Sequence, residues 1–158
     1  MLTYKAVKAD LSDVMKDFKD IVIARHYRVE EHTVLTDDGY VLTLMRIPGT
    51  LEDPLNVQRG PPVLLMHGII DSSDGWVVHD DESPAFIMAK AGYDVWLGNS
   101  RGNKYSKNHI KYALDSQEYW DFTWEDLATY DLPAFTDYIL AYTGYAKLGY
   151  IGHSMGTT

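Results

Sequence analysis

Apolar residues at Leu11, Val14, Met15, Phe18, Ile21 and Val22 recur every three or four positions with Lys and Asp between them. That is the spacing of one helix face laid against a core, and it predicts a helix over Leu11 to Ala24. From Glu31 to Ile47 the chain is rich in Val, Thr, Leu and Tyr and is broken once, at Asp38-Gly39. This dipeptide tolerates the positive φ angles of a tight turn, so the segment reads as a β-hairpin. Pro48 to Pro62 carries Gly and Pro with little periodicity and is expected to be a surface connection. Beyond it, the short apolar runs Val63 to Met66, Tyr93 to Leu97 and Leu148 to Ile151 are flanked by Gly or polar residues, as in strands buried on both faces of a sheet. Ser83 to Ala91 and Thr123 to Tyr142 lie between them and can be helical. The second has Leu132, Phe135 and Ile139 on one face, Pro133 near a helix start and Gly144 at the C-cap. Strands alternating with helices imply parallel β-α-β units, so the expected class is α/β: a mostly parallel sheet preceded by an antiparallel hairpin.

Composition narrows this picture. With 158 residues, 46% hydrophobic and 13% aromatic, there is apolar material for one sizeable core. The 23 acidic residues outnumber the 14 basic ones, and the resulting charge of −9 repels phosphate backbones, so nucleic-acid binding is not expected. The absence of cysteine removes disulfides, zinc knuckles and thiol nucleophiles from consideration within these residues. Met1 to Asp20 has no unbroken apolar run resembling the core of an export signal. No stretch of about 18 apolar residues occurs either, so contact with lipid is expected to be peripheral, and the compartment stays open.

The last apolar run leads into Gly152-His153-Ser154-Met155-Gly156. Glycines on either side of a serine permit a sharp strand-to-helix turn that leaves the serine hydroxyl exposed above a sheet. Chance produces such a spacing in roughly one chain in twenty of this length, so its context matters. Here it sits at the carboxyl end of an expected parallel strand, where open α/β sheets place their sites. Ser154 is therefore the candidate nucleophile; ordinary turn glycines are the alternative. Acyl transfer also needs two backbone N–H donors for the oxyanion, one after the nucleophile and one from the loop after the third strand. Those donors fall to Met155 and to Ile69 in the turn His67-Gly68-Ile69-Ile70; a plain turn is the alternative for that loop. Arg101, at the end of the strand Tyr93 to Leu97, is expected to tie loops together through hydrogen bonds rather than to act in chemistry. His153 is expected to be structural. His26, His32, His79 and His109 lack ligand-like spacing, and no metal is assigned.

At this point the sequence resembles a family. His26 to His32 leading to Thr36-Asp37-Asp38-Gly39-Tyr40 and Arg46-Ile47-Pro48 is similar to the N-terminal signature of the acid lipases, which include gastric lipase, lysosomal acid lipase and sterol-ester hydrolases. His67-Gly68, Trp96 to Asn103, Tyr119 to Thr123, Tyr130 to Ala134 and Gly152 to Thr158 continue the match in order. The resemblance implies the α/β-hydrolase fold and hydrolysis of acylglycerols or sterol esters, with Ser154 as nucleophile and the Ile69 and Met155 N–H groups as oxyanion hole. Many relatives have Gln where this chain has Met155, so a side-chain role of that Gln is lost while the backbone donor remains.

In this fold the triad acid and histidine follow the nucleophile, yet only Met155, Gly156, Thr157 and Thr158 come after Ser154. The sequence is thus expected to be the front part of a longer lipase and inactive by itself. Within it, residues 1–26 form a helical segment, 27–62 the lipase-associated hairpin region and 63–158 the first half of the catalytic core. The expected substrate is a lipid ester met at a peripheral lipid interface, with no cofactor. Two alternatives stand beside this: other acyl chemistry on the same fold, such as a thioesterase or acyltransferase, and a short non-catalytic chain that binds lipid or a partner.

Overall fold

The computed structural model describes residues 16–52 and 60–157. Leu11 to Met15 of the expected first helix lie outside them. Helix α1 spans Phe18–Ala24, and its N-cap is Asp17, whose side chain accepts from the Asp20 N–H. The hairpin forms as β1, Glu30–Leu35, and β2, Tyr40–Ile47, in antiparallel register. Its turn is closed by Thr36, whose Oγ1 accepts from the Tyr40 N–H at 2.8 Å, and by Gly39 at φ +102°.

Strands β3 (Pro62–Met66), β4 (Asp94–Gly98), the short β5 (Asn108–His109) and β6 (Gly149–Gly152) complete a six-stranded sheet. The order is β1-β2-β4-β3-β6, with β5 against β2. β3 runs parallel to β4 and to β6, whereas β2 meets β1, β4 and β5 antiparallel. Every residue of β3 and β4 is buried, because successive side chains enter opposite layers. Val63, Leu65, Val95 and Leu97 join Phe18, Ile21 and Val22 of α1 and Ala85, Phe86 and Ala89 of α2 (Pro84–Lys90). Leu64, Met66 and Trp96 point the other way, toward Tyr119, Phe135 and Ile139.

Four expectations are corrected. Strand β4 starts at Asp94, since the Tyr93 N–H bonds to the Met88 carbonyl and closes α2 instead of joining the ladder. Of the connection expected at Pro48 to Pro62, Leu51, Glu52 and Pro61 are exposed, but Pro48 and Gly49 are buried and Pro62 opens β3; 53–59 lie outside the described residues. The strand at Leu148 to Ile151 forms one residue later and is open to solvent: Tyr150 and Ile151 are 43% and 39% exposed, because β6 has β3 on one edge and no partner on the other among the described residues. The helix at Thr123 to Tyr142 is not uniform. It begins as α3, Trp124–Asp126, passes through a π-helical turn at Leu127–Asp131 and continues as α4, Leu132–Thr143, ending at Gly144 with φ +75°. Pro133 is the second residue of α4, near a helix start as expected, but α3 and the π turn run into it without a break. It has no N–H to offer the Thr129 carbonyl and its ring would crowd that oxygen, and the wider π turn accommodates both problems. No helix among the described residues is long and apolar enough to cross a membrane.

Candidate active site

β6 delivers the chain to Ser154, which stands in the left-handed region at φ +53° at the start of a 3-10 turn, Ser154–Thr157. A residue with a Cβ disfavours this conformation by roughly 1–2 kcal/mol, so the surroundings must hold it there. They do so through hydrogen bonds. The His153 N–H donates to the Met66 carbonyl (3.0 Å), the Gly156 N–H to the His153 carbonyl (2.9 Å), the Thr157 hydroxyl to the Ser154 carbonyl (2.6 Å) and the Tyr150 hydroxyl to the Gly156 carbonyl (2.5 Å). The two glycines are needed for space: a Cβ on Gly152 would lie 2.0 Å from the Gly156 oxygen, and one on Gly156 would lie 2.6 Å from the Met66 oxygen. The result is an exposed serine on a turn that no larger neighbours could make.

The loop after β3 lies directly against it, since a Cβ built on Gly68 would be 3.1 Å from the Ser154 Cβ. Among the described residues the Ile69 N–H makes no hydrogen bond, and the Ile69 side chain is 68% exposed. Ile70 is in the left-handed region at φ +53°, a rare conformation for a β-branched residue, and its side chain is fully solvent-exposed. Ile69 and Met155 line one cavity of about 700 Å³, whose apolar wall is Trp120, Phe122, Trp124 and Leu127. The structure thus gathers Ser154, Ile69 and Met155 at one place. His153 is exposed beside Gly68.

Behind the rim runs a buried polar network that hydrophobic periodicity could not reveal. Asn103 Oδ1 accepts from the Tyr105 and Ser106 N–H groups, which fixes its amide so that Nδ2 donates to Asn99 Oδ1 (2.9 Å) and to His67 Nε2 (3.1 Å). The Ser100 N–H also points at His67 Nε2, at 3.1 Å. Two donors face this nitrogen, so it carries no proton, and the proton sits on Nδ1, donated to the Gly68 carbonyl at 2.7 Å. Asn99 continues the network, accepting from the Ser73 N–H and donating to the Ser73 hydroxyl. Burial pushes the His67 imidazole below its ordinary range; the Gly68 carbonyl and the Asp71 carboxylate offset this only in part.

Arg101 is buried and ties loops as expected. It donates from Nε to Asp131 Oδ1 (2.8 Å), from Nη1 and Nη2 to the Asp38 carboxylate (2.6 and 3.0 Å), and covers the Tyr40 ring at 3.9 Å. Its partners went unassigned from the sequence. Asp38 belongs to the hairpin turn and Asp131 to the π turn, and nothing in their local patterns connects them.

Residues 61–158 match the model of the alpha/beta hydrolase fold, and residues 18–80 that of the partial alpha/beta-hydrolase lipase region. The chain belongs to the α/β-hydrolase family. It is 47% identical over 133 residues to gastric triacylglycerol lipase of Mus musculus, covering 84% of this chain and 34% of that one. With Lipase 1 of Drosophila melanogaster it shares 48% identity over 141 residues, 88% of this chain and 30% of the relative. Lipase member K of Homo sapiens is 47% identical over 84% of the chain and 33% of its own length. This α/β-hydrolase chain therefore spans about a third of the length of the curated relatives it matches. Among solved structures it resembles an esterase of Pyrococcus furiosus, with TM-score 0.57 and 21% identity over 85% of this chain and 45% of that one, a likeness of fold.

Proposed function

We propose that this chain supplies the nucleophile and oxyanion hole of a carboxylic-ester hydrolase acting on lipid esters, triacylglycerols or sterol esters. The observation that carries the proposal is Ser154 itself, an exposed serine held at φ +53° between Gly152 and Gly156, beside a loop whose Ile69 N–H makes no hydrogen bond among the described residues. The identity of 47–48% to proteins named as lipases supports the substrate class.

In the proposed reaction the Ser154 hydroxyl gives its proton to a general base while Oγ bonds to the ester carbonyl carbon. The carbonyl oxygen becomes an oxyanion received by the Ile69 and Met155 N–H groups. Collapse breaks the bond to the alcohol, which leaves with the proton held by the base, and water then releases the acid from the acyl-serine by the same path. Among the described residues nothing hydrogen-bonds to the Ser154 hydroxyl, so the proposal assigns the base and its orienting carboxylate to residues outside them. The cavity wall of Trp120, Phe122, Trp124 and Leu127 suits an apolar acyl chain.

The test uses the intact gene product. A fluorophosphonate probe is expected to label it and Ser154→Ala to abolish labelling; labelling retained in that variant overturns the assignment. Triolein or cholesteryl oleate emulsions are expected to be turned over faster than p-nitrophenyl acetate, and the reverse order at every pH would point to a general esterase.

A further inference from the structure

His67 is the one buried histidine among the described residues, the proposed reaction does not use it, and its two nitrogens have opposite duties. Nδ1–H holds the Gly68 carbonyl at 2.7 Å, while Nε2 is held by the Ser100 N–H and the Asn103 amide. The Gly68 carbonyl and the Ile69 N–H belong to the same peptide unit, and that unit is trans and planar. Fixing the direction of the C=O therefore fixes the direction of the N–H at its other end. The rim network decides where the ring stands, and the ring decides where the Ile69 N–H points.

We propose that His67 is the positioning residue of the oxyanion hole: its neutral Nδ1–H form sets the peptide plane that presents the Ile69 N–H to the reacting carbonyl, and protonation at Nε2 releases it. The inference rests on the oxyanion assignment of Ile69 made above. A proton on Nε2 would turn an acceptor into a third donor facing two others, and both of its bonds to the loop after β4 would be lost. The other groups around the ring do not replace them. Asp71, on the loop after β3, is the carboxylate that favours the charged ring. From the loop after β4, Arg101 is already engaged by Asp38 and Asp131. From the serine turn, His153 lies beside Gly68. Charging His67 thus trades two hydrogen bonds for one distant attraction.

Two substitutions separate the duties of the nitrogens. In His67→Gln the Oε1 can take the place of Nε2 as acceptor from Ser100 and Asn103, but no donor reaches the Gly68 carbonyl. In His67→Asn the Nδ2 can still donate to that carbonyl, while the acceptor for the rim is gone. Removal of an oxyanion donor costs about 10²–10³ in kcat, and a misaimed donor is expected to cost less. For the intact gene product, with kcat counted per fluorophosphonate-labelled site, His67→Gln is expected to lower kcat about 10- to 100-fold with KM within threefold. His67→Asn is expected to remain within about tenfold of wild type, yet to melt at lower temperature and to lose one proton-linked step from the acid side of its kcat profile. Imidazole ¹⁵N spectra, assigned by loss of the signal in His67→Asn, are expected to show Nδ1–H and a bare Nε2 at neutral pH.

A purely structural role would lower the labelled fraction and the melting temperature in both variants but leave kcat per labelled site unchanged, and that result overturns the proposal. So does an Nε2–H tautomer in the spectra. If the wild-type protein is not labelled at all, the Ser154 assignment fails and this inference falls with it, an outcome distinct from normal labelling with unchanged kcat in His67→Gln.

Discussion

Replacing Gly152 by alanine puts a methyl group 2.0 Å from the Gly156 carbonyl oxygen. Ordinary van der Waals contact begins near 3.4 Å, so that carbonyl, and the serine turn it closes, must retreat by about 1.4 Å, the difference between the two. Alanine at Gly68 makes a gentler demand. Its Cβ would stand 3.1 Å from the Ser154 Cβ, and relief needs about 0.3 Å. Misplacing a reacting group by 1 Å costs about 10²-fold in rate. If the loss is exponential in displacement, Gly68→Ala is expected to slow labelling of Ser154 by about fourfold, and Gly152→Ala by more than about 10²-fold. Gly152→Ala should also destabilise the protein by about 1–3 kcal/mol through overpacking. Gly144→Ala is the control. Nothing lies within 4 Å of its Cβ, but φ is +75°, so it should cost about 1 kcal/mol of stability and leave labelling untouched. The assay is the second-order rate of fluorophosphonate labelling of the intact gene product, with unfolding followed in parallel. If Gly152→Ala is labelled as fast as Gly144→Ala, the turn does not set the position of the hydroxyl and the reasoning fails.

Two further predictions concern stability. Arg101→Leu leaves the Asp131 carboxylate buried without its partner, a loss of about 3–5 kcal/mol, and adding Asp131→Asn should restore part of it. Burial already holds the Asp131 carboxyl above its ordinary range, with Arg101 pulling the other way. Without Arg101 the folded state binds this proton more tightly than the unfolded chain does. The deficit should then grow as pH rises from about 4 to 7 in urea unfolding; a deficit independent of pH would speak against an unpaired carboxylate. The Tyr105 hydroxyl donates to Asp74 Oδ1 (2.7 Å) and accepts from the Phe18 N–H (3.0 Å) at the head of α1, and burial and Asp74 push it up to about 12. Tyr105→Phe should cost about 1–3 kcal/mol by leaving that N–H unpaired, and should remove one phenol titrating near 12 from the alkaline absorbance curve. Because the folded state keeps this proton longer, the stability it supplies is present below pH 10 and declines between 10 and about 12.

Where local pattern decides structure, the sequence was legible. The Asp38-Gly39 turn, the unbroken apolar runs of β3 and β4, and the Gly-x-Ser-x-Gly turn each follow from short-range sterics and burial. What escaped depends on partners far away along the chain. Leu148 to Ile151 reads as a buried strand because its residues are apolar, but burial is decided by neighbours, and β6 has one. Pro133 reads as a helix start and is the second residue of α4, but nothing in the local pattern announces the π turn that joins α4 to α3 ahead of it. The loop at His67-Gly68 leaves a plain turn open when read from the sequence. Its significance comes from Ser100 and Asn103, more than thirty residues away, which fix a tautomer that no spacing rule encodes.

The strand order has a consequence for how the chain assembles during synthesis. β1 and β2 can pair as soon as their turn emerges, whereas β3, though made next, waits for both of its neighbours. β4 arrives first and takes one edge, with Val63 opposite Val95; the other edge stays bare until Gly149 to Gly152 has been translated and aligned with Val63 to Met66. Throughout that interval the nascent chain presents an apolar central strand with one edge unpaired, the kind of surface that chaperones recognise and that neighbouring chains can capture. The same segment that closes this edge also carries Ser154 into place. The serine cannot take up its turn before the rim beneath it exists, so the placing of Ser154 follows the pairing of β3 with both of its neighbours.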